Sequence, residues 1–469
     1  MDFLERAKCS REHRLLEELD KKNVWRPFTQ MREWQGENEV IIDSGFGTGL
    51  TDLYGKTYYD GQSSYWVNIH GHGNARLTRT LTRQAARLEH ATFLGLGNKP
   101  AIELAQRLLE LAPDELAKVF YSDNGSTAVE VGMKMAYQYF RQLDPPQAKR
   151  TRFVALEQAY HGDTLGAVAV GGIETYRDKF DGILPEVLFA PSPYCYRCTL
   201  DKAFPECSLA CARKMEEMIE KDHSEIAAFI IEPMVQCPGG IITAPHGYLK
   251  RVREVCNRYG ILMIADEVAV GFGRTGRMFA CEHEDVCPDI MALSKSMAAG
   301  VLPLAATLVT QKVYDAFLGA YDERKTFFHG HTFTGHPPAC AVALENLDLF
   351  KKKKIIRSLE EKSQFLRDNL IRFDNLPCVG DIRQLGMIVG IELVKDRETR
   401  EPFKPSLRIG HQVILEARKR GLLIRPLGDI IVFFPILAAR AKEIKNMTDI
   451  IYDSISAVTG SFEESIKIE

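Results

Sequence analysis

The sequence has no apolar run of the roughly 18 residues that a membrane-spanning helix needs, so no span is expected. It has no excess of either charge: 60 lysines and arginines face 63 aspartates and glutamates, a net charge of -3. That balance gives no electrostatic reason to expect nucleic acid or a membrane surface as partner. The opening, "MDFLERAKCSREHRLLEELDKK", is charged throughout and lacks the apolar centre of a secretion signal, which points to the cytoplasm. Internal repeats and low-complexity tracts are missing as well. The eleven cysteines form an odd set in a long chain, which suits reduced thiols better than a disulfide framework. The one conspicuous charge run, "KKKK" at 351–354, follows "ALENLDLF" and reads as the solvated end of a helix.

What is present is an ordinary globular composition, 45% hydrophobic and 26% charged, over 469 residues. That length suffices for a large core and two or more domains. Between about residues 100 and 300, helix-like and strand-like segments alternate. "AIELAQRLLELAP" and "VEVGMKMAYQYFRQ" have helical periodicity. "AKVFYS", "RFVALE", "AAFIIEP" and "ILMIADE" are short apolar runs with an acid at or just after their ends. Runs of that kind fit strands covered on both faces, as in an α/β domain with a mostly parallel sheet. Functional groups in such sheets gather at carboxyl ends of strands, where Asp123, Glu157, Glu232 and Asp266 all fall. After "HGHTFTGHPPAC" the pattern changes to that of a smaller α+β region, joined by residues from the N-terminus.

Lys295 in "ALSKSMAAG" is a lone amine among small and apolar neighbours. A partly desolvated pocket favours its neutral form, the one that attacks a carbonyl. Pyridoxal phosphate is anchored by such a lysine, and needs a carboxylate to keep its pyridine nitrogen protonated. Asp266, ending an apolar strand, is the candidate. On this pair alone, a strand-end acid and an unrelated surface lysine is the simpler account. The phosphate needs donors, and Gly125 and Ser126 precede a predicted helix whose free N–H groups and dipole favour an anion. A plain helix cap gives the same pattern. Tyr160, in the loop "AYHGDT", offers a stacking face or simply packs on the core.

"GFGRTG", residues 271–276, imitates a dinucleotide fingerprint. The fingerprint belongs directly between strand and helix, yet residues 267–270 intervene after Asp266, and "RMFACEHEDVCPD" behind it is not an apolar-periodic helix. A nicotinamide-dependent oxidoreductase is therefore set aside, and the glycines are expected to let backbone approach a ligand.

"IADEVAVGFGRTGRMFACEHEDVCPDIMALSKSMAAG" resembles the core signature of the class-III pyridoxal-phosphate aminotransferases. "FYSDNGSTAVEVGMKMA", "AYHGDTLGA", "IIEPMVQ" and "FFHGHTFTGHPPAC" follow in that family's order. The resemblance covers nearly the whole chain. It implies a fold-type-I transferase with residues 1–70 contributing to the small domain and substrate pocket, 71–335 as the large cofactor-binding domain and 336–469 as the small domain. It implies that Lys295 carries the cofactor and moves the proton, and that Asp266 pairs with the ring nitrogen. Gly125, Ser126 and Thr332 would hold the phosphate, Thr332 reaching across a homodimer, with Tyr160 stacked on the ring. Phe28 and Trp66 would line the substrate pocket and Arg425 would bind a substrate carboxylate, a task suited to its planar fork.

"VWRPFTQM", "SSYWVNIHGHGNARL" and "LLIRPLG" resemble family members that aminate an amino-keto acid of biotin synthesis. Transfer between an ω-amino acid and pyruvate is the alternative. Phe28 stands where relatives often have tyrosine, His331 where many have proline, and His336 where asparagine is usual. The missing hydroxyl bears on the amino donor, S-adenosylmethionine or lysine, and tilts the expectation towards lysine. Cys195, Cys198, Cys207 and Cys211 form a C-x2-C-x8-C-x3-C arrangement. They are expected either to hold zinc or an iron–sulfur cluster that braces the loop, or to stay reduced or redox-pairing thiols.

Overall fold

The structure, a computed structural model, describes residues 3–37 and 40–466, with side chains described for 11–37 and 40–460. The apolar runs become a seven-stranded sheet. In chain order its strands are β1 (Leu116–Ser122), β2 (Arg152–Leu156), β3 (Val187–Ala190), β4 (Ile226–Ile231), β5 (Leu262–Asp266), β6 (Ile290–Leu293) and β7 (Ala305–Thr310). Their spatial order is β1-β7-β6-β5-β4-β2-β3. β3, β2, β4, β5 and β6 are mutually parallel, while β7 runs antiparallel to both its neighbours. The expected α/β fold with a mostly parallel sheet is the one found.

β4, β5, β6 and β7 are buried at every position, because the sheet is covered on both faces. Alternate residues serve opposite cores. Leu262 and Ile264 join the cluster containing Val129, Val131 and Ala136 of the helix Gly125–Gln142. Met263 and Ala265 join the cluster containing Leu249, Val252 and Val255 of the helix Tyr248–Tyr259. Each such side chain contributes about 1.5–3 kcal/mol on full burial, so one strand serves two cores at once. Gly132 lets the first helix approach the sheet: a Cβ there would lie 3.1 Å from Ile290.

A second sheet is antiparallel and comprises β8 (Val379–Leu385), β9 (Ile388–Leu393), β10 (Arg425–Leu427) and β11 (Ile430–Phe433), in the order β8-β9-β11-β10. A third is built from residues 42–60 and closes by parallel pairing of Thr57–Asp60 with Leu422–Leu423. The two ends of the chain therefore meet, which carries Phe28 and Trp66 towards Arg425. Among the described residues no helix is long and apolar enough to cross a membrane.

Candidate active site

The carboxyl ends of β1, β4, β5 and β6 converge on a cavity of about 510 Å3 whose walls include Asp123, Gly125, Ser126, Tyr160, Asp266 and Lys295. Glu157 does not line it; its carbonyl instead accepts from Ser192 and Gln236. Asp266 is held rigidly, with Oδ2 2.7 Å from His161 Nδ1 and Oδ1 accepting from the Val268 N–H at 3.0 Å. The His161 side chain is wholly buried, and its Nε2 has no hydrogen-bond partner. His161 itself lines the cavity, with Nδ1 turned to the carboxylate.

Lys295 opens the short helix Lys295–Ala298 that follows β6, at φ 42°. Its Nζ lies 4.8 Å over the Trp66 ring. Burial pulls the ammonium pKa down, against the opposing pull of Cys237, Asp266 and Glu232. Such burial shifts the amine towards the neutral form that carbonyl chemistry requires. Glu232, at the end of β4, accepts from the N–H groups of Tyr160 at 3.1 Å and Cys237 at 3.0 Å. Burial, reinforced by the Asp266 charge, raises its pKa to about 8. It fixes the Tyr160 loop to the sheet.

Gly125 and Ser126 begin the helix Gly125–Gln142, capped by Asn124, whose side chain accepts from the Thr127 N–H. Ser126 Oγ accepts from the Asp163 N–H at 3.2 Å, and the Tyr160 hydroxyl donates to Asp163 at 2.8 Å. Space is tight: a Cβ on Gly162, at φ +131°, would fall 2.1 Å from Ser126 Oγ, and one on Gly125 2.7 Å from Val268. This end of the cavity presents free helix N–H groups in a close-fitting backbone, an arrangement that favours an anion.

Next to it lies a second cavity of about 530 Å3, lined by Phe28, Arg425 and residues of both chain ends. Tyr65 borders both cavities. The Arg425 guanidinium stands 4.8 Å over the Tyr65 ring and 5.8 Å from that of Phe28. Trp66 is 2% exposed and stacks between Tyr65 and Phe434 at centroid distances of 5.5 and 5.0 Å. Tyr176 links the halves, edge-on to Tyr160 at 5.9 Å and tilted against Phe28 at 5.5 Å. Ser63, Ser64, Tyr65 and Trp66 have φ of 49, 52, 86 and 71°. They form one turn of left-handed helix at about 1–2 kcal/mol per L-residue.

The structure thus brings together Lys295, Asp266, Gly125, Ser126, Tyr160 and Trp66, with Phe28 and Arg425 in the adjoining cavity. Thr332 stands on an exposed segment outside both. His161, Glu232, Tyr65 and Tyr176 enlarge the expected set. His161 follows Tyr160 directly, and Tyr65 precedes Trp66, so adjacency in a loop was the available signal. Nothing in the local pattern marks Tyr176.

Two expectations are corrected. "GFGRTG" does not reach the cavity; its glycines turn the chain so that Arg274 points into the core. Among the described residues no three His, Cys, Asp or Glu side chains are placed to share a metal ion. Cys195, Cys198, Cys207 and Cys211 form no disulfide and are not arranged as the expected zinc or iron–sulfur site. Burial pushes the Cys211 thiol up to about 11 and raises that of Cys195, so in the metal-free protein both stay protonated. The loop is braced otherwise. Tyr194 and Arg197 bond to Glu392 of β9, which also accepts from Arg383 at 2.7 Å.

Residues 31–455 match the family model described as aminotransferase class-III. A relative from Geobacter sulfurreducens, an adenosylmethionine-8-amino-7-oxononanoate aminotransferase, is 52% identical over 446 residues, covering 95% of this chain and 98% of its own. A crystal structure of the enzyme of that name from Methanocaldococcus jannaschii superposes with a TM-score of 0.90 at 39% identity, over 95% of this chain and 99% of that one. The ω-transaminase of Pseudomonas jessenii in complex with PMP gives 0.90 at 32% identity, over 94% and 98%.

Proposed function

Since the chain belongs to the class-III aminotransferases, which use pyridoxal 5'-phosphate, we propose that it transfers an amino group to 8-amino-7-oxononanoate, giving 7,8-diaminononanoate for biotin synthesis. The observation that carries this reading is the pairing of the two cavities. One holds a buried lysine, an oriented carboxylate and an anion cradle; the other ends in an arginine with no ion pair among the described residues. Relatives of 44–52% identity bear the name of that reaction.

The first cavity fits the cofactor on its own chemistry. Asp266 has one oxygen tied by His161 and the other by a backbone N–H, so its charge is fixed where a ring nitrogen would keep a proton. The Gly125 and Ser126 N–H groups would hold the phosphate, and in a homodimer Thr332 of the partner subunit would complete the cradle. Tyr160 covers one ring face, its loop held by Glu232. Bound pyridoxal phosphate supplies an aldehyde that accepts the donor's amine and a ring that withdraws electrons from it. Lys295, whose charged form burial disfavours, would hold that aldehyde at rest and, once displaced, would move a proton at the reacting carbon.

Arg425 takes the carboxylate of the keto acid, whose alkyl chain lies along Tyr65 and Phe28, with Trp66 backing the Tyr65 ring. Phe28 itself brings no hydroxyl for a polar donor group, and on that ground lysine is the donor proposed over S-adenosylmethionine. The cytoplasm fits, since the described cysteines are all thiols and stay reduced there. The test is the visible absorption of the purified protein and of Lys295→Ala, followed by assays with oxononanoate against pyruvate and lysine against S-adenosylmethionine. A yellow wild type that turns over oxononanoate is expected. A colourless protein that pyridoxal phosphate cannot reconstitute refutes the reading, and turnover of pyruvate alone redirects it to ω-amino-acid transamination.

A further inference from the structure

Arg274, the one charged residue of "GFGRTG", is 0% exposed. Gly273 and Gly276, at φ +89° and +95°, turn the chain so that its side chain runs inward. Its Nη1 donates to the Pro435 carbonyl at 2.8 Å and to Ser63 Oγ at 3.2 Å; Nη2 donates to the Asn68 carbonyl at 2.8 Å. The guanidinium lies 4.9 Å from the centre of the Phe434 ring. Among the described residues it has no carboxylate within ion-pair distance, although the charge of Asp60 acts on it. A buried cation without a bonded counter-ion is costly. Every donor it uses goes to the turn at 63–68 or to the strand end against which that turn packs.

The turn needs holding. Its four consecutive non-glycine residues have positive φ, an arrangement that L-residues leave unless the surroundings over-determine it. Its own bonds are few, Trp66 N–H to Gln62 O at 2.8 Å and Val67 N–H to Ser63 O at 3.0 Å among them. Asp60 grips one side, accepting from the Ser64 N–H at 2.9 Å and its hydroxyl at 2.7 Å. On the other side the Ser63 hydroxyl donates to Phe434 O at 2.6 Å while accepting from Arg274. So held, the turn presents Trp66 to Lys295 and Tyr65 to Arg425.

We propose that Arg274 is a positioning residue for substrate selection: through Ser63, Asn68 and Pro435 it locks the left-handed turn that aims Tyr65 and Trp66, and so sets the affinity for a long-chain keto carboxylate. The inference rests on the reading that the keto acid's chain lies along the Tyr65 ring, which Trp66 backs.

The test is steady-state kinetics of the holoenzyme with oxononanoate. Arg274→Lys keeps a charge but cannot span acceptors on three residues. It should raise KM by about tenfold or more while kcat falls by less than about threefold, with the visible cofactor band retained. Adding Ser64→Gly gives up the hydroxyl bond to Asp60 but keeps the backbone N–H bond to it and takes positive φ without a Cβ penalty; the relieved turn brings KM back towards the wild-type value. A scaffold role alone would lower kcat and melting temperature together and be indifferent to Ser64→Gly. If Arg274→Lys does not fold, Ser63→Ala, which removes the hydroxyl between Arg274 and Phe434, carries the same two readouts. An unmoved KM in the folded variant, or no recovery with Ser64→Gly, overturns the proposal alone. A wild type that does not aminate oxononanoate overturns it together with the functional reading.

Discussion

Replacing Arg425 by alanine isolates carboxylate recognition from the chemistry at Lys295. The side chain leaves β10 half-buried, between the Tyr65 ring at 4.8 Å and the Phe28 ring at 5.8 Å, both of which limit its rotation. No carboxylate among the described residues competes for its fork. A substrate carboxylate would receive two parallel charge-assisted bonds, each contributing about 1.5–3 kcal/mol when shielded. Partial exposure of Arg425 leaves a total nearer about 1.5–3 kcal/mol, which at 1.4 kcal/mol per factor of ten is a rise in KM of about 10- to 150-fold. The bonds form in the bound substrate and the transition state alike, so kcat should hardly move. Arg425→Lys keeps a point charge and loses the fork, and should fall between. The assay compares 8-amino-7-oxononanoate with its methyl ester. The acid should lose affinity in the variant, and the ester should be weak in the wild type and nearly unaffected by the substitution. Equal losses for acid and ester would show that Arg425 only packs the pocket wall.

Gly162→Ala should cut cofactor affinity by at least about tenfold, since positive φ and a Cβ 2.1 Å from Ser126 Oγ both distort the cradle; titration of the apoprotein with pyridoxal phosphate measures this. Burial raises Glu267 to about 7 although the Ala280 and Cys281 N–H groups support its charged form. The native state therefore keeps this proton between about pH 4.5 and 7 while the unfolded chain has lost it, so its contribution makes stability fall as pH rises through that window. Glu267→Gln should flatten that slope in melting curves recorded across it. Dialysis against a chelator should leave the melting temperature unchanged, since Cys195, Cys198, Cys207 and Cys211 are placed as thiols and Glu392 braces their loop. Sedimentation should give a dimer, and Thr332→Ala should weaken cofactor binding without dissociating it; a monomer that binds pyridoxal phosphate at full strength would refute the cross-subunit role.

The strands were legible because burial on both faces leaves no polar alternation to disguise them: β4, β5 and β6 each read as a continuous apolar run, bounded by Glu232, Asp266 and Ser294. Strand ends then placed the acids, and helix onset placed Gly125 and Ser126. The cysteines show the limit of spacing, which records separation along the chain but not whether four sulfurs converge. The left-handed turn shows a deeper limit. Serine, serine, tyrosine and tryptophan carry no local preference for positive φ, and glycine, the residue that would have announced it, is absent from the turn. Its conformation is imposed from Arg274, 211 positions along the chain from Ser63, and from Phe434, 371 positions away. "GFGRTG" was visible as a motif, but its glycines drew attention while its arginine acts. A segment whose shape is dictated from such distances is where local pattern should fail, and here it fails at two rings, Trp66 facing Lys295 and Tyr65 facing Arg425.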